Sequence, residues 1–482
     1  MKMNTHYKAR RLAILSCTAL PLLMLGCANP DGAIPSRASL LLANTLENGK
    51  TINSIAISKA DWPQEQWWSR YADAQLDALL TEALAGTPSL RIAAARVRQA
   101  QAMAGIAESA ASVNANAALK DTRQRYSAHS TIPHPLAGTW DTFNDLSLNL
   151  SYEFDFWGKN EASITAALDR VHGAEVDERA ARLMLTTGVI QTYLRLAQLN
   201  DQLDLFQAIL KQRIALLALT QQRVNAGLDS QLELKQAESV VPASRQQIAA
   251  TREEIELTKI QLAVLLGKGP DRGLSLTRPQ IKPQAFFGLS AVLPADLIGR
   301  RPDVVAMRWR VEAASQDIRV VRTQFMPNVS LFSFIGFQSL GLDQFINSGS
   351  RTAGIGPAIS LPIFDGGRLR GNLGARNAEY DIAIEQYNQT VIGAVQDVVN
   401  QLTSIRWYEE QHSEQLQAVS TAQTAYELSV QRYRSGIGTY LQVLTAELLL
   451  NAQKKTLLDI EARSLQLDVN LIRSLGGGVL DV

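Results

Sequence analysis

The sequence predicts an α+β membrane protein with an internal two-fold repeat, and three observations predict it. The first is a likeness between the two halves of the chain at a fixed spacing of 209 residues. Ser147 to Gly267 lies over Gly356 to Gly476 without a gap, so that Gln222-Arg223 falls on Gln431-Arg432 and Gly227 on Gly436. Leu232 falls on Leu441, Ala237-Glu238 on Ala446-Glu447, and Leu266-Gly267 on Leu475-Gly476. A unit this long is no solenoid repeat. Two similar large units in one chain suggest a pseudosymmetric object that several chains could close into a ring. The second observation is a long run of period two. Leu146, Leu148, Leu150, Tyr152, Phe154 and Phe156 alternate with Ser147, Asn149, Ser151, Glu153 and Asp155. The third is two very long stretches of helical period without proline, one between Pro135 and Pro242 and one from Pro362 to the end.

In chain order, residues 1–26 read as an export signal. A basic start ends at Arg11, and the apolar run from Leu12 to Leu25 is too short for an ordinary membrane span. It closes on Leu22-Leu23-Met24-Leu25-Gly26-Cys27, which resembles a bacterial lipoprotein box with Cys27 as the lipidated residue, a palmitate site; an ordinary secretory signal with an incidental cysteine is the plain alternative. Ala28 rather than Asp follows, which in that class implies sorting to the outer membrane. The only other cysteine, Cys17, lies inside the signal, so the mature chain has no disulfide to form. The formal net charge of +1 includes Lys2, Lys8, Arg10 and Arg11 of the signal, and their removal leaves the mature chain near −3. No basic surplus argues for nucleic acid. The five histidines are scattered, without metal-ligand spacing, and no metal or other cofactor is expected.

Residues 27–60 read as a polar lipidated tether, and a first repeat is expected over 61–270. Its strand hairpin spans about 113–157. Val113, Ala115, Ala117 and Leu119 alternate with Asn114, Asn116 and Lys120, and after a polar loop comes the Leu146–Phe156 run. About 11 residues is the length of a tilted strand crossing a membrane. A helical hairpin follows over about 160–267. Residues 271–300 form a linker, and a second repeat is expected over 301–482, with strands at about 326–364 and helices at about 369–476. Asn160 to Val224 and Leu369 to Tyr433 would each span roughly 97 Å as continuous helices. Their Leu, Ala and Val spacing is that of coiled-coil helices packed on two flanks. Nine of the twelve phenylalanines fall within 143–156 or 325–364, which suggests aromatic girdles at strand ends, with a packed aromatic core as the plain alternative.

Four such strands cannot close a barrel alone, and open strand edges in lipid leave unpaired backbone groups at several kcal/mol each. A membrane-spanning chain of this kind must oligomerise. The face with Asn149, Ser151, Glu153 and Asp155 would line water, and the apolar face would meet outer-membrane lipid.

Three segments carry a resemblance to the TolC-like outer-membrane factors, in particular their lipidated multidrug-efflux branch. They are Leu297-Ile298-Gly299-Arg300-Arg301-Pro302-Asp303, Leu361-Pro362-Ile363-Phe364-Asp365-Gly366-Gly367-Arg368 and Gly436-Ile437-Gly438-Thr439-Tyr440-Leu441. With the two-fold repeat, the resemblance covers nearly all of the mature chain. It implies a homotrimer with a 12-stranded outer-membrane β-barrel, four strands per chain, above a 12-helix periplasmic α-barrel with an equatorial domain. It implies an exit duct that docks with a periplasmic membrane-fusion adaptor and an inner-membrane efflux pump to discharge small toxic molecules. The duct of a type I protein-secretion system is the near alternative. A periplasmic coiled-coil structural lipoprotein is the alternative of a different class, and it predicts no membrane strands.

The resemblance also places functional residues. The tips between long helices would meet the adaptor through Arg223, Asn225 and Gly227 and through Arg432, Arg434, Gly436 and Gly438. Arg223 and Arg432 each have a second reading, as complements of a helix C-terminal dipole. Leu441 would form the apolar ring of a periplasmic gate, with Thr445 one turn on where relatives carry an acid; packing between helices is the plain alternative for Leu441. Arg300-Arg301-Pro302-Asp303 reads as a helix start rather than a catalytic or phosphate site. No nucleophile–base set or phosphate loop is present, so no enzymatic activity is expected.

Overall fold

The structure is a computed structural model and describes residues 32–41, 63–129, 131–281, 286 and 299–478. The expected signal, Cys27, most of the tether, most of 282–298 and the Leu297-Ile298 end of one motif lie outside the described residues. The chain forms α1 (Ala74–Leu84), α2 (Pro88–Ala110), β1 (Asn114–Arg125), β2 (Trp140–Phe154), α3 (Lys159–Asn225) and α4 (Gln231–Leu265). It continues as α5 (Pro302–Thr323), β3 (Asn328–Leu340), β4 (Arg351–Ser360), α6 (Arg368–Arg434) and α7 (Tyr440–Ser474). The helices keep the repeat. α3 and α6 are 67 residues each, α4 and α7 are 35 each, and the starts at Lys159 and Arg368, like those at Gln231 and Tyr440, are 209 residues apart.

Two compact units emerge, made of 1–40, 97–174 and 307–387, and of 41–96, 175–306 and 388–482. Each takes pieces from both halves of the repeat. The first holds the sheet, antiparallel in the order β1-β2-β3-β4. Its register places Ala117 opposite Leu148, Leu148 opposite Ile335, and Ile335 opposite Ala353. Leu148, Leu150, Ile335, Ile355 and Ile359 therefore share one face, and all are exposed. Asn116, Asn149, Ser147 and Ser151 share the other. Pro357 sits on the edge strand β4, where a missing N–H is tolerated. Beside the sheet, Ile318, Val321 and Phe325 of α5 and its end pack on Leu369 and Leu373 of α6. A second patch uses small residues, Ala104 against Ala167 and Val171, which lets α2 and α3 approach closely. Ile34 to Ala38 lie along α6 as a strap. Asn377 Nδ2 donates to the Ile34 carbonyl at 2.6 Å, and the Asp381 carboxylate accepts from Ser36 Oγ at 2.6 Å and from the amides of Arg37 and Ala38.

Both long helices of the hairpins start on an aspartate. Asp155 accepts from the amides of Lys159 at 2.6 Å and Glu161 at 2.9 Å, and Asp365 from those of Gly367 and Leu369 at 3.0 and 2.8 Å. These bonds satisfy donors that the first helical turn leaves free, and they hold the Asp365 carboxyl below its ordinary value. The strand assignment of Asp155 changes accordingly. β2 ends at Phe154, and the Asp155 carboxylate serves the helix start rather than the water-facing row. Glu153 remains in β2, but Lys159 Nζ lies 2.8 Å from its carboxylate.

In the second unit the core gathers Trp67, Trp68, Tyr71, Leu76, Leu79 and Leu80 against Val189, Ile190, Leu196, Leu262, Val469 and Ile472. The two buried tyrosine hydroxyls of this core are paired. Tyr71 donates to Asp468 at 2.8 Å and Tyr193 to Asp73 at 2.9 Å, and burial raises both phenols. α5 begins at Pro302 as expected, and Arg301 is bound to Asp303 at 2.7 Å and Asp397 at 3.2 Å, a structural use of that motif. Replacing Asp155 by Ala is expected to weaken the start of α3 by about 1 kcal/mol. Hydrogen exchange over residues 159–165 would read it, and unchanged protection would refute the cap.

Candidate functional site

The helical tips carry the positions expected to meet a partner. α3 and α6 end in the same way. Leu228 N donates to the Arg223 carbonyl at 2.9 Å and Gly227 N to Val224; Ile437 N donates to Arg432 at 3.1 Å and Gly436 N to Tyr433. Gly227 at φ +71° and Gly436 at φ +78° supply the left-handed residue that this closure needs. The following helices are capped alike. The Ser230 hydroxyl accepts from Leu232 N while the Glu233 carboxylate accepts from Ser230 N at 2.9 Å, and Thr439 and Gln442 repeat the box. Leu232 and Leu441, second residues of α4 and α7, are 62 % and 63 % exposed. Leu228 and Ile437, also a repeat pair, are exposed beside them.

The side chains break the symmetry of the backbone. Arg223 is only 8 % exposed. Its Nε and Nη2 grip both oxygens of Asp229 at 2.8 and 3.1 Å, and Nη1 donates to the Tyr433 carbonyl at 2.7 Å. The guanidinium carbon lies 4.4 Å from the Tyr433 ring centre, and the Tyr433 hydroxyl donates to Asp229. Arg223 and Tyr433 together hold the Asp229 carboxyl below its ordinary 3.8. Burial first, and the bond to Asp229 next, push the Tyr433 phenol up to about 12. Arg432, the repeat partner of Arg223, is exposed, because the position matching Asp229 is Gly438. A Cβ at Gly438 would stand 3.0 Å from the Tyr433 nitrogen, so a side chain there would need this turn to shift by a few tenths of an ångström. Arg223 is thus buried in an ion pair at the base of the tip. It locks the first tip to the end of α6. Further along, Arg213 Nε lies 2.7 Å from Glu447, and its Nη1 donates to Ser244 Oγ at 2.8 Å, which ties α3, α4 and α7 in a buried group.

The other expected site residues fall in place as follows. Asn225, Gly227, Arg434 and Gly436 are exposed at the tips, and Gly438 is partly covered. Thr445 donates its hydroxyl to the Leu441 carbonyl at 2.8 Å, so its polar atom is turned back into the helix. On the sheet, Asn149 and Ser151 stand on the face opposite the leucines, and Asn149 Nδ2 donates to Ser147 Oγ at 3.2 Å. Phe332 lies opposite Ser151, and Phe334 opposite Asn149. The face that is wholly polar in β2 thus carries two aromatic rings from β3.

Comparison with known proteins decides what this arrangement belongs to. The outer membrane efflux protein family matches residues 79–268 and 293–477. This chain belongs to that family. It is similar to the fusaric acid resistance protein FusA of Burkholderia cepacia, 41% identical over 368 residues, 76% of this chain and 69% of that one. It is similar to the multidrug resistance outer membrane protein MdtP of Escherichia coli O157:H7, 32% identical over 447 residues and 90% of each chain. Among solved structures it is similar to the outer membrane protein VceC of Vibrio cholerae, with a TM-score of 0.82 and 37% identity over 86% of this chain and 100% of that one. The fold is that of a TolC-like outer-membrane channel subunit with four strands per chain. As an outer membrane efflux protein the chain is an exit duct of an efflux system in the outer membrane, with a large periplasmic portion.

Asp229 and Tyr433 were not singled out in the sequence. The one available signal was the broken repeat, an acid at Asp229 against a glycine at Gly438 and a valine at Val224 against Tyr433. Replacing Asp229 by Asn should cost about 2 kcal/mol at this tip, since a buried charged hydrogen-bond set loses its acceptor. Amide exchange at residues 223–234 would then quicken roughly 30-fold. The carboxyl is lowered in the folded state, so its contribution is complete above 3.8 and fades as the pH falls through the lower folded value. Exchange in the variant that stays at the native rate at neutral pH would remove the lock.

Proposed function

We propose that three copies of this chain form the exit duct of a tripartite drug-efflux system, docked to a periplasmic membrane-fusion adaptor and an inner-membrane efflux pump. The observation that carries the trimer is the open sheet. β1 and β4 are edges within the chain, and edge donors and acceptors in lipid require a partner strand. A second copy supplies one, β4 to β1, and three copies joined in this way close a ring of twelve strands. The relatives named for multidrug and fusaric acid resistance support small toxic molecules as cargo rather than secreted proteins. The role proposed is conduction without catalysis.

At the tips, Asn225, Gly227, Arg432, Arg434, Gly436 and Gly438 form the docking surface for the adaptor, and Arg223 supports it from beneath. Leu441 is the apolar constriction of the periplasmic gate. Its exposure on one chain, shared by Leu232, is what a ring-forming residue would show before assembly. The turned-in hydroxyl of Thr445 leaves no acidic ring one turn on. Asn149 and Ser151 line water, with Glu153 held by Lys159 at the lower end of the same face. Cys27 is the lipid anchor. It precedes Gly32 by five residues, a reach of at most about 18 Å. A Cβ on Gly32 would lie 3.8 Å from Arg370 in the first turn of α6.

Negative-stain microscopy and solution mass of the detergent-purified mature protein test the assembly. A trimer longer than about 100 Å is expected, and a compact monomer would overturn the reading. Leu441→Ser should raise single-channel conductance and sensitise cells to large antibiotics, whereas unchanged conductance would remove Leu441 from the gate. Cys27→Ser should abolish labelling by radioactive palmitate, and persistent labelling would exclude this anchor.

A further inference from the structure

The water-facing side of the sheet is arranged in layers that the register defines. From the helix end upward, Glu153 lies opposite Ser330, Ser151 opposite Phe332, Asn149 opposite Phe334, Ser147 opposite Gly336, and Asp145 opposite Gln338. β1 adds Asn114, Asn116, Ala118 and Lys120 to the upper four of these layers, and β4 adds Ala358, Gly356, Gly354 and Thr352 to the lower four. Layers on one face are about 7 Å apart along a strand. All but two of these side chains are polar or small. The exceptions are Phe332 and Phe334, in adjacent layers, with ring centres 5.9 Å apart and planes at 39°.

The two rings are held differently. Phe334 lies across the bare backbone of Gly354, where a Cβ would come within 2.5 Å of the ring and displace it from this position. Phe332 faces Gly356, where a Cβ would meet nothing within 4 Å, and it is 43 % exposed. A fixed ring therefore stands next to a freer one with an empty floor beside it. Apolar rings on a wetted face gain by covering their faces, and the partner that fits between or upon tilted rings is another flat ring, at centroid distances of 4.5–7 Å.

We propose that Phe332 and Phe334 form a stacking station for planar aromatic solutes on the inner face of the barrel, a feature that rests on the reading of this face as the lumen. Exported molecules rising past Glu153 meet it before the Lys120–Asp145 layer. Planar rings are retained there briefly, and saturated solutes of the same size and charge pass without retention.

Single-channel recording of the full-length protein in planar bilayers tests this, with naphthoate and its fully saturated decalin carboxylate as probes. Naphthoate is expected to interrupt the wild-type current, and the saturated probe is not. Phe332→Ser should raise the half-blocking concentration of naphthoate about fivefold. Phe332→Leu, which keeps apolar bulk, should do the same, Phe332→Tyr should retain the block, and Ile335→Ser on the opposite face should leave it as in wild type. Equal block by both probes, or an unchanged block in Phe332→Leu, overturns the station. Cysteine placed at Asn149 or Phe332 and treated with a membrane-impermeant thiol reagent separates the two readings. If both react and lower the conductance while naphthoate shows no preference, the station alone fails. If neither reacts, the lumen assignment fails and the station with it.

Discussion

Unpaired backbone is the constraint on which the rest depends. A strand in lipid has no water to bond its amides and carbonyls, so every edge must find another strand. This chain makes four antiparallel strands and leaves β1 and β4 as edges. The requirement turns a local property, alternation in Leu146–Phe154, into a statement about assembly. It also explains why the repeat matters. A duplicated hairpin supplies four neighbouring strands, and a duplicated helical hairpin supplies helices of 67 and 35 residues in both halves.

The duplication governs the backbone more strictly than the side chains. Both tips close through a left-handed glycine and reopen through a capping box, because main-chain geometry at a helix end admits few solutions. The contacts that fix each tip have diverged. Arg223, Asp229 and Tyr433 form a buried group at one tip, whereas Arg432 stands free of such a group at the other, where Gly438 occupies the place of the acid. One tip is thereby pinned by charge and the other by a tight backbone turn. Two helical hairpins of equal length can respond differently to the same partner for this reason.

The fold was legible because its signals are long. A period-two run of 11 residues and two helical stretches of 65 leave little room for another architecture. The lower strands of the second half were harder to read. Val329 to Phe337 mixes serine, phenylalanine and aliphatic residues without strict alternation, so its faces could not be assigned until the register set Phe332 against Ser151. Asp155 misled in the opposite way. It continues the alternation of β2 by one residue, but the strand stops at Phe154 and the carboxylate caps α3.

The sequence by itself determined the repeat, the strand and helix periods, the breaks at Gly227 and Gly436, and membership in a family of outer-membrane channels. These follow from patterns within one stretch of chain, where near neighbours set the backbone. The tertiary structure decided which groups meet across 180 residues or more: Arg223 with Tyr433, Arg213 with Glu447, Asp381 with the strap, and the two phenylalanines with the polar face. Such meetings depend on helix packing and strand register. A shift of one residue in register moves a side chain to the opposite face, and no local pattern records that choice.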